Sequence, residues 1–389
     1  MGCAPEVAIG VPARPLLQKG VGTVVTYAAN EGLNEHEIAA RVAVAKRLAA
    51  LKGFEFGGGY QPSLQRNKPL YFVPSETLSG KEAARLGIRG ANDLFGGVVP
   101  HPFVASKTIA HPLTGRDAQR PVGWSEAFPQ RVHPVVLPGF TAFARADALK
   151  GGERLLEDGP VRVKHGRGIG GKGQSVAADS GALVQALDAF DGVELASCGV
   201  VLEPSLEEEA TYSVGQVSVD GLCASYCGTQ RSTTDNNGQP AYGGSDLLIV
   251  RGGFAALLAL QLDTAVRLAI HRALTFDQAS AEFPGLFASR RNYDVLHGRD
   301  ARGRWHCGVL EQSWRIGGAS GPEVAALEAF RADPRLRAVR AQSTELYGAR
   351  ATPPRGAIVH FHGVDPVAGP LVKYTVVEPK EVNALEPAH

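Results

Sequence analysis

The sequence predicts an α/β protein built from more than one structural unit. Strand-like and helix-like segments alternate along its 389 residues, a pattern typical of α/β folds. The chain is 44% hydrophobic, which is sufficient for a large core divided among two or three units. A third observation is local. The β-branched segment Val161–Val163 leads into a lysine and then a loop with glycines at five of the eight positions 166–173, a composition suited to binding phosphate.

The N-terminal hundred residues have the alternation of a small α/β domain. Residues Gly22–Tyr27 form a β-branched strand, and Asn34 is a suitable N-cap for a helix that runs to about Leu51. An apolar strand, Leu70–Val73, and a helix near Lys81–Leu86 follow. About 100 residues is a typical domain size, so we place a domain boundary near residue 100.

Further strands and helices follow a Pro- and Gly-rich region, Gly96–Pro138. One hairpin is predicted from its turn, Asp220-Gly221, which is a strong turn signal. The predicted strands span Gly199–Glu203, Tyr212–Val219, Leu222–Gly228, Asp294–Leu296, Trp305–Glu311, Ala357–His362 and Leu371–Val377. The predicted helices span Gly181–Phe190 with Ser180 as N-cap, Phe254–Leu274, Glu323–Phe330 and Leu336–Tyr347.

Composition excludes several classes of protein. Lys and Arg number 40 against 39 Asp and Glu, for a net charge of +1, which argues against a nucleic-acid partner. No apolar run reaches the roughly 18 residues of a membrane span, and the N-terminus lacks an apolar export region. Five sparse cysteines suit a reducing compartment. We therefore expect a cytoplasmic protein with neither a nucleic acid nor a membrane as partner.

Three kinds of phosphate-binding loop compete for the glycine-rich segment. Gly166-x4-Gly171-Lys172 matches a Walker-A loop, but Gly173 stands where a serine or threonine must bind Mg²⁺. Gly166-x-Gly168-x-x-Gly171 matches a dinucleotide fingerprint, with Glu203 as its acidic partner. Against this second motif, extended chain at Gln174–Ala178 replaces the expected helix, and the charged Lys164 is unusual in a buried parallel strand. The third arrangement is a strand, a lysine, a glycine flap and a returning strand.

The third arrangement resembles the ATP-grasp superfamily. By this resemblance Lys164 contacts the nucleotide phosphates, Lys107 supplies a second lysine, and Glu203 ends the strand at the adenine hinge. The flap that covers the phosphates comprises Gly168, Gly170, Gly171, Lys172 and Gly173. One carboxylate among Glu207, Glu208 and Glu209 meets the ribose. We assign this contact to Glu209, although the sequence does not separate the three.

The resemblance extends to the predicted strand pair near residue 300. ATP-grasp enzymes carry an acidic residue on one strand and Glu-x-Asn-x-Arg on the next, and this chain has Asp294 followed by Glu311-x-Ser313-x-Arg315. Asp294, Glu311 and Ser313 are thereby implied as Mg²⁺ ligands, with Mn²⁺ as a substitute, and Arg315 as the residue that steadies the transferred phosphate. Ser313 departs from the family's asparagine, although a hydroxyl is also an oxygen ligand.

The physical chemistry of these residues is consistent without the family name. Phosphoryl transfer needs positioned positive charge more than a protein nucleophile, and two carboxylates can hold the Mg²⁺ that bridges phosphate oxygens. Strand alternation places Glu311, Ser313 and Arg315 on one face. We therefore expect Lys164 and Arg315 to act in catalysis.

The predicted fold is an ATP-grasp fold with an N-terminal α/β domain and two α+β subdomains that clasp the nucleotide. The units are residues 1–100, residues 101–205 with the flap, and residues 206–389 with the metal site. The predicted activity is ATP- and Mg²⁺-dependent activation of a carboxylate to an acyl phosphate, which an amine or other nucleophile attacks. Small-molecule carboxylates and nucleophiles are thus the expected partners, and a homodimer is compatible with the sequence.

Two alternatives to this activity stay open. The whole chain resembles an uncharacterised bacterial family whose members are often labelled biotin carboxylase, which implies activation of bicarbonate. Because Met1 is the sole methionine, the chain has no Met-Lys-Met biotinylation signature, so a biotin carrier would be separate. The second alternative is a degenerate ATP-binding module, for which Ser313 would be the mark.

Overall fold

The structure is a computed structural model and describes residues 22–28, 32, 34–63, 68–166, 168 and 173–378. Within these residues the strands form four sheets. The mixture of sheets and helices is α/β, as predicted. None of the described helices combines the length and the apolar character needed to cross a bilayer.

The N-terminal sheet is parallel, with the strand order β2-β1-β3. Its strands are β1 (Thr23–Tyr27), β2 (Glu55–Gly59) and β3 (Leu70–Pro74). Helix α1 (Glu35–Lys52) connects β1 to β2. Asn34 is its N-cap as predicted, and the backbone N–H of Asn34 donates to Glu37 at 3.1 Å, which satisfies one of the groups that a helix start leaves unpaired.

A second small sheet has the order β13-β5-β4. Its strands are β4 (Leu78–Ser79), β5 (Gly97–Val99) and β13 (Phe287–Ala288). Helix α2 (Gly80–Leu86) follows β4 with a capping box at Ser79. Because β13 comes from late in the sequence, this sheet ties the N-terminal region to the rest of the chain.

The glycine-rich loop belongs to a four-stranded sheet with the order β6-β9-β7-β8. Its strands are β6 (Phe140–Ala142), β7 (Val161–His165), β8 (Gln174–Ala177) and β9 (Val200–Pro204). Helices α3 (Ala127–Val132), α4 (Arg145–Leu156), α5 (Ser180–Asp188) and α6 (Gly192–Cys198) lie along the same part of the chain. Helix α5 is capped one residue earlier than predicted, because Asp179 rather than Ser180 accepts the Ala182 N–H, at 2.8 Å.

The largest sheet is eight-stranded and antiparallel, in the order β15-β14-β10-β11-β12-β16-β18-β17. Its strands are β10 (Glu207–Val219), β11 (Leu222–Thr234), β12 (Pro240–Arg251), β14 (Arg290–Arg299), β15 (Trp305–Ser313), β16 (Ala338–Tyr347), β17 (Ile358–Asp365) and β18 (Gly369–Glu378). It starts at Glu207, and the four-stranded sheet ends at Pro204. The domain boundaries near residues 100 and 205 stay predictions.

Two predicted helices differ from the structure. The expected helix Phe254–Leu274 is two helices, α7 (Phe254–Leu258) and α8 (Thr264–Ser280), because Asp263 is the N-cap of a second helix. The expected helix Leu336–Tyr347 is the strand β16, which pairs with β12 on one side and β18 on the other. Pairing in the interior of a sheet outweighs helix propensity there.

Helices cover both faces of the large sheet. Helix α8 packs against β10, β14 and β15 on one face, and α9 (Ser320–Ala332) packs against β11, β12, β16 and β18 on the other. Each face carries its own apolar core cluster, with Phe276 of α8 in one and Leu327 of α9 in the other. Polar side chains that face α9 are therefore removed from water unless they lie near the end of a strand.

The half-buried imidazole of His360 on β17 makes the stability of the fold depend on pH. Its Nε2 lies 2.8 Å from Thr375 Oγ1, and burial, with Arg47 and Lys373 acting in the same direction, lowers the pKa of His360 to about 4. The native state thus favours neutral imidazole, so stability is fully present above pH 6.5 and is lost as the pH falls towards 4. We expect His360→Gln to remove about 2 kcal/mol of the fall in unfolding free energy between pH 7 and pH 5. The same substitution at the exposed His133 should change nothing, and equal behaviour of the two variants in urea titrations would contradict this assignment.

Candidate functional site

Two carboxylates face each other at the edge of the large sheet. Strands β14 and β15 are antiparallel, and their register sets Asp294 opposite Glu311 and Asn292 opposite Ser313. The register shifts just after Asp294, and a bulge of this kind re-aims side chains, often next to functional sites. Because alternate residues share a face, the four side chains form one oxygen-rich patch.

The two carboxylates repel each other. Burial is the main cause that raises the pKa of Asp294 to about 6, and the charge of the nearby Glu311 is the second cause. The amide groups of Gln230 and Asn292 oppose this shift by hydrogen bonding to Asp294. Asp294, with its raised pKa, and the neighbouring carboxylate of Glu311 are suited to holding a cation between them.

Lys107 supplies positive charge to this pair. It begins a 3₁₀ helix, Lys107–Ala110, and is only 4% exposed. Its Nζ lies 2.6 Å from Glu311 Oε2 and donates to the Gly168 carbonyl at 2.7 Å. Gln312 lies on the opposite face of β15 and donates to the carbonyls of Val104 and Ser106 at 3.0 and 2.7 Å. These hydrogen bonds hold the segment that precedes Lys107 against β15. The predicted second lysine, the flap and a predicted metal ligand therefore converge.

Lys164 forms a second charged cluster with Glu203. The side chains are almost fully buried, and Lys164 Nζ makes an ion pair with Glu203 Oε2. His111 Nε2 lies 2.8 Å from the other carboxylate oxygen, Glu203 Oε1. Burial alone raises the pKa of Glu203, but the charge of Lys164 and the contact with His111 outweigh it and bring the pKa down to about 2. Glu203 is thus ionised at neutral pH, and His111 carries a proton on Nε2.

The flap is described only in part. Strands β7 and β8 pair in antiparallel fashion from Val161 and Ala177 to Lys164 and Gln174, which is the strand–flap–strand arrangement predicted from the sequence. Gly168 and Gly173 belong to the described residues, and Gly173 has a φ of +70°, which a residue with a side chain rarely adopts. Gly170, Gly171 and Lys172 lie outside the described residues, as does the side chain of Glu209. Their predicted contacts with a nucleotide stay predictions.

Arg315 lies just beyond the end of β15 rather than on it. Strand β15 ends at Ser313, so the alternation that predicted a shared face for Arg315 does not extend to it. Arg315 donates to the Ile316 carbonyl at 2.8 Å. Burial lowers the pKa of its guanidinium, while the charge of Glu311 acts in the opposite direction.

Sequence reasoning missed several polar residues that hold the predicted site. Two signals pointed to some of them: Asn292 lies two residues before Asp294 and so shares its face, and Gln230 lies on the hairpin next to Arg231. His111 and the ion pair of Arg290 with Glu323 gave no signal, because each meets its partner only through folding. The missed residues are His111, Ser213, Tyr226, Gln230, Arg290, Asn292 and Glu323.

The geometry fits a magnesium ion whose remaining ligands come from a phosphate. Mg²⁺ prefers oxygen ligands and commonly binds through one or two carboxylates plus substrate phosphates. Asp294 and Glu311 would supply the carboxylates, and the positive charge that Glu311 contacts in the structure is the ammonium of Lys107. Over the part of the chain that the structure describes, no group of three or more His, Cys, Asp and Glu residues could hold a metal. The described residues therefore form no closed metal cage of their own.

The fold of this chain is the ATP-grasp fold, and three solved structures share it. An N5-carboxyaminoimidazole synthase from Aspergillus clavatus, in complex with ADP and 5-aminoimidazole ribonucleotide, matches with a TM-score of 0.54 and 12% identity over 93% of this chain and 95% of its own. The N5-carboxyaminoimidazole synthetase of Staphylococcus aureus complexed with ADP matches with a TM-score of 0.52 and 10% identity over the same shares, 93% and 95%. The Campylobacter jejuni biotin carboxylase β-γ-ATP complex gives 0.51 and 13%, over 92% and 87%.

The chain belongs to the family described as "Protein of unknown function (DUF3182)", which matches residues 24–375. No curated protein matches the sequence. At 10–13% identity the structural matches establish the fold, and fold alone does not establish a reaction. The predicted ATP-grasp relationship is thus confirmed at the level of the fold, and the roles of the site residues stay predictions.

Proposed function

We propose that this protein is an ATP- and Mg²⁺-dependent ligase that activates a carboxylate as an acyl phosphate. A carboxylate oxygen attacks the γ-phosphorus of ATP and ADP leaves with the bridging oxygen. An amine or other nucleophile then attacks the acyl carbon, and phosphate leaves. The solved structures with the same fold include nucleotide complexes of an N5-carboxyaminoimidazole synthetase and a biotin carboxylase, which supports a nucleotide as one substrate.

The observation that carries the proposal is the contact of Lys107 with both Glu311 and the Gly168 carbonyl. One ammonium thereby joins the carboxylate pair to the flap, which is where a nucleotide triphosphate and its metal need charge of both signs. On binding, Lys107 would transfer from Glu311 to a phosphate, and the metal would take the ammonium's place on the carboxylates. A bound Mg²⁺ would supply charge neutralisation at the phosphates.

The remaining residues have the roles that the resemblance to ATP-grasp enzymes implies. Lys164 and the flap residues Gly168, Gly170, Gly171, Lys172 and Gly173 would hold phosphates. Glu203 would mark the adenine end of the site, with Glu209 at the ribose. Asp294 and Glu311 would hold the metal, with Ser313 beside them, and Arg315 would steady the phosphoryl group in transfer. Small-molecule carboxylates and nucleophiles are the substrates that this chemistry requires.

The proposal is tested by measuring ADP release with Mg²⁺ over a panel of carboxylate and amine pairs, with bicarbonate as one member. We expect one or more pairs to raise ADP release well above the rate without a carboxylate. Glu311→Gln, which removes a proposed metal ligand, should return the rate to background. Nucleotide binding without turnover for every pair would contradict the ligase and favour an ATP-binding module, and dependence on bicarbonate with biotin would favour the carboxylase.

A further inference from the structure

A buried polar network lies behind Asp294, on the face of the sheet that α9 covers. Arg290 and Glu323 are each no more than 1% exposed and form an ion pair, with Arg290 Nε 3.0 and 2.9 Å from the two carboxylate oxygens. Tyr226 Oη lies 2.6 Å from Glu323 Oε1 and 2.9 Å from Asn292 Oδ1. The network therefore runs from α9 through β11 to the strand that carries Asp294.

The network fixes which way the Asn292 amide faces. Asp294 Oδ1 is an acceptor 3.0 Å from the Asn292 amide, so the amide NH₂ must face it. The hydroxyl of Ser213, 2.9 Å away, then donates to Asn292 Oδ1, and the Tyr226 hydroxyl shares its single proton between this oxygen and Glu323. The opposite amide orientation would set two oxygens against each other at Asp294.

Asp294 is consequently held by one of its two oxygens. Oδ1 accepts from Gln230 Nε2 at 2.7 Å and from Asn292 Nδ2 at 3.0 Å, with Ser213 Oγ at 3.5 Å. The structure gives Oδ2 no hydrogen bond within the described residues, which leaves it available to a cation shared with Glu311 across the strand pair. Donors on one carboxylate oxygen restrict rotation of the group and define the direction of the other.

The same ion pair also restrains the chain that follows Glu311. Arg290 Nη1 donates to the Ser313 carbonyl at 3.2 Å and to the Arg315 carbonyl. Burying an ion pair is costly unless hydrogen bonds satisfy all of its polar atoms. Here those hydrogen bonds go to the backbone on either side of Trp314, and through Tyr226 to Asn292.

We propose that Gln230, Asn292 and Tyr226 are positioning residues for the metal site, which hold Asp294 so that Oδ2 faces a divalent cation, and that Arg290 with Glu323 anchors them. This inference rests on the proposed function, because it concerns the same carboxylate pair. It adds residues that act on the metal through Asp294 and do not touch the metal themselves. Loss of such partners typically weakens metal binding by about 10- to 100-fold.

The test measures Mn²⁺ binding to the full chain by electron paramagnetic resonance, with ADP present. Gln230→Met removes a donor to Asp294 at a half-buried position, and Tyr226→Phe removes the hydroxyl between Glu323 and Asn292. We expect each variant to raise the Mn²⁺ dissociation constant about tenfold. The affinity for ADP measured in EDTA, which does not involve the metal, should stay unchanged.

Tyr293→Phe is the matched control. Tyr293 lies between Asn292 and Asp294 on the same strand, but its hydroxyl bonds Asp277 at 2.6 Å and Trp314 at 3.2 Å on the opposite face. This variant should shift the denaturation midpoint about as much as Tyr226→Phe and leave Mn²⁺ binding unchanged. Unchanged Mn²⁺ affinity in Gln230→Met and Tyr226→Phe, or equal weakening in Tyr293→Phe, would overturn the inference alone. A wild-type protein that binds no Mn²⁺ with ADP present would overturn the proposed function as well.

Discussion

Lys164→Met is expected to lower the free energy of unfolding by about 3 kcal/mol and to abolish nucleotide-dependent turnover. The ammonium of Lys164 makes an ion pair with Glu203, and both side chains are at most 5% exposed. Removing one partner of a buried pair leaves the other charge without compensation, which costs about 3–5 kcal/mol. Methionine nearly preserves the shape of the lysine side chain, so loss of charge rather than loss of volume is the main change.

The double variant Lys164→Met/Glu203→Gln separates the two effects. Glutamine removes the uncompensated charge and retains an acceptor for the Nε2 proton of His111, so most of the lost stability should return in urea denaturation. Turnover should stay absent, because the proposed phosphate contact is still missing. A double variant as unstable as Lys164→Met would show that the ion pair is not the cause.

An exposed ion pair provides the comparison. Lys68 Nζ lies 2.9 Å from Glu55 Oε2, with the two side chains 42% and 66% exposed. Lys68→Met should change the unfolding free energy by less than about 1 kcal/mol, as is usual for pairs at the surface, and turnover should be retained.

Asp294→Asn is expected to abolish turnover while making the protein more stable. The pKa of Asp294 is raised to about 6 by burial and by Glu311, so at pH 7 the folded protein holds an ionised carboxylate against an opposing free energy. One unit of pKa shift corresponds to about 1.4 kcal/mol, and we expect asparagine to raise the free energy of unfolding by about 1 kcal/mol at pH 7. Because the charge that would bind the metal is lost, turnover should fall at least about a hundredfold.

The stability gain should also depend on pH in a defined direction. A carboxylate whose pKa is raised on folding costs stability above that pKa and ceases to do so when it is protonated. The difference between Asp294→Asn and wild type should therefore shrink as the pH falls from 7 through 6 towards 4, as measured by urea denaturation at each pH. A difference that grows on acidification would contradict the assigned pKa.

Asp300→Asn is the control of opposite sign on the same hairpin. Asp300 Oδ2 lies 2.7 Å from Arg304 Nε and 2.9 Å from His306 Nε2, so its charge is compensated in the fold. We expect this variant to lose stability and keep its turnover. If Asp300→Asn and Asp294→Asn changed stability and turnover in the same way, the different charge environments assigned to the two aspartates would be wrong.

Local sequence predicted the elements whose signals are carried by neighbouring residues. The Asn34 cap, the strand of Lys164 with its returning partner, the Asp220-Gly221 hairpin and the Asp294 strand pair are all in the structure. The two wrong helix predictions have different causes. Asp263 started a second helix inside an apolar run, and β16 became a strand because two neighbours pair with it.

The glycine-rich loop was recognised from its composition, and the two carboxylates from their resemblance to the strand pair of ATP-grasp enzymes. The sequence thus predicted the ATP-grasp fold, which the structure confirms, and the chemistry of the site stays a prediction. Tertiary structure alone decided what those residues contact: Lys107 on Glu311 and the flap, His111 on Glu203, and a buried ion pair behind Asp294. Such partners lie far apart in the sequence, 33 residues for Arg290 with Glu323 and 208 for Gln312 with Val104. No local pattern encodes a contact that depends on how separate sheets and helices pack.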